Sequence, residues 1–165
     1  DALLVLSPDA LGPAGSGGAW TAIRRYLDEG GLVILTPPAD PARGQWAAAA
    51  ANGLGVQLAV ASAPRSYPQD APAQLADTAT PPPSGDDLLT AVRGELAELT
   101  RPVNFSRLLP PDVPPDADSI VLLRAGDGAP VLTLLARQQA TPTAQGGAVV
   151  YLAAALDLSW TDLPT

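Results

Sequence analysis

The sequence predicts an α/β fold: a three-layer sandwich built on a mostly parallel sheet, with an antiparallel extension towards the C-terminus. Three observations predict it. The chain has 165 residues, 47% of them hydrophobic, which suits one domain with a substantial core. Its N-terminal part alternates short aliphatic runs with stretches of helical period, the pattern of β-α-β units. Its C-terminal part sets aliphatic runs one after another across glycine turns, as a meander does.

The elements follow in order. Ala2 to Leu6 (ALLVL) is an unbroken aliphatic run that stops at Ser7-Pro8, a pattern that predicts a central strand covered on both faces. A Gly- and Pro-containing loop follows, in which Ser16 is a candidate helix cap. From Ala19 the apolar residues fall at 19, 20, 22, 23, 26 and 27, while Arg24, Arg25, Asp28 and Glu29 share the other face. This predicts an amphipathic helix packed on a sheet. In the phrase YLDEGGLVILTPP, Gly30 and Gly31 come after that helix and before the aliphatic run Leu32 to Leu35. Phosphate-cradling glycines come after a strand and before a helix, so this pair reads as a helix stop, with Gly30 left-handed.

A second helix is expected over Ala42 to Ala51, anchored by Trp46 and stopped at Asn52-Gly53, with a third strand over Val56 to Ala61. The segment 63–85 holds six prolines and reads as a Pro-rich loop or insertion in an otherwise single domain spanning 1–165. Asp86 then caps an expected helix, DLLTAVRGELAEL, whose Leu88, Leu89, Val92, Leu96 and Leu99 keep helical spacing. Val103 to Leu109 alternates as a strand would, with Val103, Phe105 and Arg107 on one side. SIVLLRAGDGAPVLTLLA reads as a hairpin turning through Ala125-Gly126-Asp127-Gly128, and Ala148 to Ala155 as the last strand. The order of elements matches flavodoxin-like folds.

Composition narrows the chemistry. There are 9 Lys+Arg against 17 Asp+Glu, a net charge of −8, and all the basic residues are arginines. So acidic a chain repels phosphate backbones and anionic headgroups, and neither nucleic-acid binding nor electrostatic membrane docking is expected. With no Cys and no His, the chain offers no thiolate nucleophile, no disulfide, no imidazole base and no thiolate or imidazole metal ligand. Without Lys it has no Schiff-base amine. No run approaches the about 20 apolar residues of a membrane span, and no direct membrane insertion is expected. Met is absent even at position 1, which suggests a piece of a longer protein.

The residues that could carry other chemistries all fit plain structural roles. None of the serines lies in a G-x-S-x-G elbow, and Ser16 in AGSGG precedes a helix without directly following a strand. Asp86 and Asp87 suit the positive end of a helix, and Glu95 and Glu98 a solvated face. Asp112, Asp116 and Asp118 lack the glycine and closing glutamate of a calcium loop. No metal and no cofactor is therefore expected. If a small ligand binds, an α/β sheet receives it beyond the carboxyl ends of its parallel strands; Ser7 and Asp9 after the first strand, and Thr36 and Asp40 after the second, are the candidate residues. Trp20 and Trp46 fall on apolar helix faces and are expected in the core; Trp160, in LSWTDLPT, either packs back on the sheet or touches a neighbouring domain.

The phrases DALLVLSPDAL, WTAIRRYLDEGGLVILTPP, VLLRAGDGAPVLTLLA and GGAVVYLAAALDLSWTDLPT together resemble the class I glutamine amidotransferase-like domains of bacterial membrane proteins of the BatA and von Willebrand factor A type. A similar helix, Gly-Gly, strand phrase occurs in auxiliary subunits of gliding-type ABC transporters. The resemblance spans most of the chain outside the Pro-rich stretch and rests on packing motifs. It implies a soluble domain of a bacterial inner-membrane protein, on the periplasmic side, whose partners are proteins, including other domains of its parent. True amidotransferases use a Cys-His-Glu triad; with no Cys or His, no residue here inherits the first two roles. The expected function is a non-catalytic binding or scaffold domain. The alternatives are a transporter auxiliary domain or a carboxylate-dependent hydrolase.

Overall fold

The computed structural model describes residues 2–12, 18–42, 45–76, 103–112, 119–137 and 146–162. The strands are β1 (Ala2–Val5), β2 (Leu32–Leu35), β3 (Arg65–Ser66), β4 (Ala73–Gln74), β5 (Asn104–Phe105), β6 (Arg107–Leu108), β7 (Ile120–Arg124), β8 (Pro130–Leu135) and β9 (Ala148–Leu152); the helices are α1 (Gly18–Asp28) and α2 (Trp46–Leu54), with a 3-10 turn at Pro8–Leu11. Five strands form one mixed sheet in the order β1-β2-β9-β8-β7. β1, β2 and β9 run parallel, and β8 and β7 return antiparallel. The α/β class and the antiparallel extension thus follow the expectation. Two further antiparallel pairs, β3 with β6 and β4 with β5, lie outside this sheet.

The pleat sorts the aliphatic residues into two unequal faces. Val33 and Leu35 of β2, Val149 and Tyr151 of β9, and Val131, Thr133 and Leu135 of β8 share one face through the ladder register, and all are buried. α2 covers this face by stacking Trp46 on Tyr151, ring centroids 6.5 Å apart, and α1 packs on α2 where Trp20 lies against Gly53. Each large aliphatic buried here contributes roughly 1.5–3 kcal/mol. The opposite face carries Leu32, Ile34, Val150, Leu152, Leu132 and Leu134, all half-buried.

α1 ends as its sequence predicts. Gly30 has φ 95°, its N–H donates to the Leu27 carbonyl at 3.0 Å, and the Gly31 N–H donates to the Tyr26 carbonyl at 2.9 Å. This paired arrangement satisfies the orphan carbonyls of the last turn. The helix end is also held from outside: the Arg137 guanidinium pairs with Asp28 at 2.7 Å and comes within 3.5 Å of the Leu27 carbonyl. A cation there offsets the unfavourable placing of Asp28 at the negative end of the helix.

Several expectations need correction. β1 is not central: it is an edge strand, with Leu3, Leu4 and Leu6 exposed to 38%, 45% and 46%. The middle of the sheet belongs to β9, whose equally aliphatic run is the covered one; uniform apolarity reports hydrophobicity and not rank in the sheet. α2 runs Trp46–Leu54, later at both ends than expected. Gly55, at φ 66° and ψ 44°, stops it, while Gly53 is needed where the Trp20 ring approaches. No strand forms over Val56 to Ala61, which makes only isolated bridges, Val56 to Arg137 and Val60 to Pro111. The strand expected over Val103 to Leu109 divides at Ser106, because the Ser106 and Arg107 N–H groups both donate to the Trp160 carbonyl. Of the Pro-rich stretch, residues 63–76 are described and contain β3 and β4. The helix expected from Asp86 to Leu99, with Asp87, Glu95 and Glu98, lies outside the described residues, as do Ser16, Asp116 and Asp118.

Candidate functional site

β1, β2 and β9 point their carboxyl ends the same way, and the structure shows what fills that edge. Thr36 directly follows β2 and is fully buried. Its N–H donates to the Val5 carbonyl at 3.1 Å, and its hydroxyl lies 3.4 Å from both the Val5 and Leu6 carbonyls. Ser7, next in the chain after Leu6, is exposed, and its carbonyl accepts from the Ala10 N–H in the 3-10 turn. Asp9 is exposed within that turn and receives the Gly12 N–H on its carbonyl. Asp40 is exposed beyond the buried Pro37 and Pro38. The ends of β1 and β2 therefore bring Ser7 and Thr36 close in the fold, with Thr36 committed to backbone carbonyls.

The C-terminal segment closes the rest of this edge. Trp160 is fully buried, and its indole N–H donates to the Ala39 carbonyl at 3.2 Å, while the Trp46 indole donates to Pro41 at the same distance. Trp160 thus packs back on the domain. The Tyr151 hydroxyl donates to the Leu109 carbonyl at 2.8 Å, and burial pushes its ionisation far above the usual phenol range. It is a positioning bond, since a phenol held so firmly in the neutral form does not act as a base.

Three ionisable clusters were missed in the sequence. At the β7–β8 hairpin tip, the Asp127 carboxylate accepts the Tyr67 hydroxyl at 2.9 Å and the Ala129 N–H at 3.0 Å, with Arg65 at 3.5 Å. The backbone hydrogen bond from Ala129 leads in lowering the Asp127 pKa, while burial leads in raising that of Tyr67. Asp162 accepts both the backbone N–H and the side-chain amide of Asn104, at 2.6 and 2.7 Å. Asp157 accepts the Ser159 N–H at 2.6 Å, and hydrogen bonds from Ser159 lower its pKa. Each of the three carboxylates is engaged by donors of its own cluster, backbone and side chain together. The GDG turn was the one sequence signal, since Asp commonly bonds the backbone two residues on. Among the described residues, no group of three acidic side chains is arranged to hold a metal ion.

Two surface depressions are formed by described residues. One, of about 450 Å³ between α1 and α2, is lined by Trp20, Arg24, Arg25, Asp28, Glu29 and Asn52 among others; its charges are mixed, and Arg25 is already paired with Glu29 at 2.9 Å. The other, of about 350 Å³, lies between β1 and α1 and is lined by Ala2, Leu3, Ala22, Ile23 and Tyr26. This second cleft contains no charged group. It opens beside the aliphatic outer edge of β1, where Leu3 and Leu4 are exposed. No protein-family model, characterised protein or solved structure matches this chain.

Proposed function

We propose that this chain is a non-catalytic protein-binding module that recognises its partner through the edge of β1. One observation carries the reading: Leu3, Leu4 and Leu6 are exposed along an unbulged edge strand that adjoins an uncharged cleft. Natural proteins usually guard such edges with charge, proline or bulges. The opposite edge here has those protections, with register shifts on both sides of Leu123 and Arg124 at its end. Among the described residues no charge, proline or bulge guards this aliphatic edge, and on an otherwise acidic chain it is a surface to be covered.

The sequence phrases support a home among amidotransferase-like domains of bacterial envelope proteins, on the periplasmic side. In this reading the fold completes a three-layer flavodoxin-like sandwich. The half-buried Leu32, Ile34, Val150 and Leu152 supply the face that a third layer needs, and the helical stripe expected over 86–99 has matching character. The test places a photo-crosslinking residue at Leu6 of the protein. Adducts to protein are expected. No adduct, together with turnover of ester or glycoside substrates that is lost on removing a carboxylate, would overturn the reading in favour of a hydrolase.

A further inference from the structure

Resting on that reading, we infer that the partner at the β1 edge is a second copy of this chain, joined strand to strand about a twofold axis through Leu4. The backbone sets the register. Thr36 N–H donates to the Val5 carbonyl, so Val5 turns its backbone groups towards β2. Because peptide groups alternate along a strand, Leu3 does the same and Leu4 directs its N–H and C=O outwards. An antiparallel pair centred on Leu4 therefore opposes Leu4 to its own copy as a hydrogen-bonded pair, each N–H meeting the other C=O.

Side chains agree with this register. Opposing residues in an antiparallel pair share a face, so Leu3 meets Val5 of the other copy on the helix side and Leu4 meets Leu4 on the other side. The cleft fits as well. α1 packs at the start of β2 through Tyr26 on Gly31, and its Ala22, Ile23 and Tyr26 face Ala2 and Leu3 across the cleft. The uncharged cleft beside β1 leaves room for the matching edge of the other copy.

Charge points to the same place. Two chains of net charge −8 repel each other over most of their surface. β1 and its cleft carry no charge, and Arg24 and Arg25 are balanced by Asp28 and the following Glu29 at the end of α1. Like copies meet on this surface without opposing like charges, through one patch on both, as an isologous dimer requires.

The experiment is sedimentation equilibrium of the chain from about 1 to 100 μM, a range that brackets micromolar dimers. The unchanged chain is expected to dimerise. Leu4→Lys and Leu4→Glu each put like charges directly opposite and should give monomers. An equimolar mixture of the two should recover a heterodimer, a result that misfolding of either variant does not produce. Ile120→Lys, at the far edge, should leave the dimer intact. A monomeric unchanged chain, or variants that fail to rescue each other, would overturn the pairing. The Leu6 crosslink separates the two readings: adducts of twice the chain mass support both, adducts with a different protein alone sink the self-pairing and keep the binding module, and no adduct sinks both.

Discussion

Gly147 meets the backbone of Gly31 so closely that a Cβ on Gly147 would overlap the Gly31 carbonyl. The contact is the entry to the β2–β9 pairing, where the Ala148 N–H donates to that same carbonyl at 3.1 Å and the Gly147 N–H donates to Leu27 at 2.6 Å. Backbone cannot swing aside as a side chain can. Gly147→Ala should therefore destabilise the fold by about 1–3 kcal/mol, the usual range for overpacking. Gly31→Ala meets only the Tyr26 ring, and its cost should fall when combined with Tyr26→Ala. Urea denaturation of the four variants checks both statements; a Gly147→Ala midpoint equal to that of the parent refutes the first.

Thr133 is the converse case, a residue whose replacement should help. It is fully buried on β8 between Val121 and Tyr151, and its hydroxyl has no hydrogen-bond partner. An unpaired buried hydroxyl costs about 1–3 kcal/mol. Thr133→Val keeps the shape and removes that cost, so the denaturation midpoint should rise by an amount equivalent to about 1 kcal/mol. A fall on this substitution would show that the hydroxyl is satisfied in solution.

Acid should loosen the C-terminal segment and the hairpin tip first. Hydrogen bonds from Asn104, Ser159 and Ala129 hold Asp162, Asp157 and Asp127 below the usual carboxylate value. A depressed folded-state pKa stabilises above the unfolded value and loses that stabilisation as pH falls through the folded one. Stability should accordingly be steady near neutrality and decline below about pH 4, where ordinary aspartates titrate. Asp162→Asn should flatten part of that decline in a pH series of thermal melts, and an unchanged pH profile would count against it.

Arg137 ties the start of β9 to the end of α1. Its side chain is 13% exposed against 55% for Asp28, so the two partners are unequal. Arg137→Ala removes the cation from a mostly buried place and leaves Leu27 and Gly147 carbonyls without it, whereas Asp28→Ala releases a carboxylate that water can solvate in any case. The first should cost about 1–3 kcal/mol and the second less than 1. A double-mutant cycle measures the coupling directly, and equal single costs would contradict this account.

Local chemistry was well written in the sequence. The α1 stripe, its Gly30 stop, the β7–β8 hairpin and the burial of Trp20 and Trp46 all follow from spacing and turn residues within a few positions of one another. What the sequence did not carry was rank and partnership. ALLVL and AVVYL are equally aliphatic, yet one ends at the edge and the other at the centre, because strand order depends on which segments meet late in the chain. The candidate edge was read in the same incomplete way: the positions of Ser7 and Thr36 at adjacent strand ends follow from the β-α-β pattern, but the closure of that edge by Trp160, 121 residues from Ala39, has no local signature. Arg137 and Asp28, 109 residues apart, are a further instance.

The place of β9 has a consequence for how the molecule assembles. β9 follows every other described strand in the chain and yet sits between β2 and β8. Until Ala148 to Leu152 has left the ribosome, β1–β2 and β7–β8 exist only as separate pieces, with β2 and β8 each lacking a neighbour. Joining β2 to β9 closes a long loop, from Leu32 to Ala148, the slow kind of step in folding. A stalled or truncated product would display two aliphatic strand edges to every other nascent chain nearby. The interval before β9 emerges is thus the one in which this sheet is most exposed to aggregation.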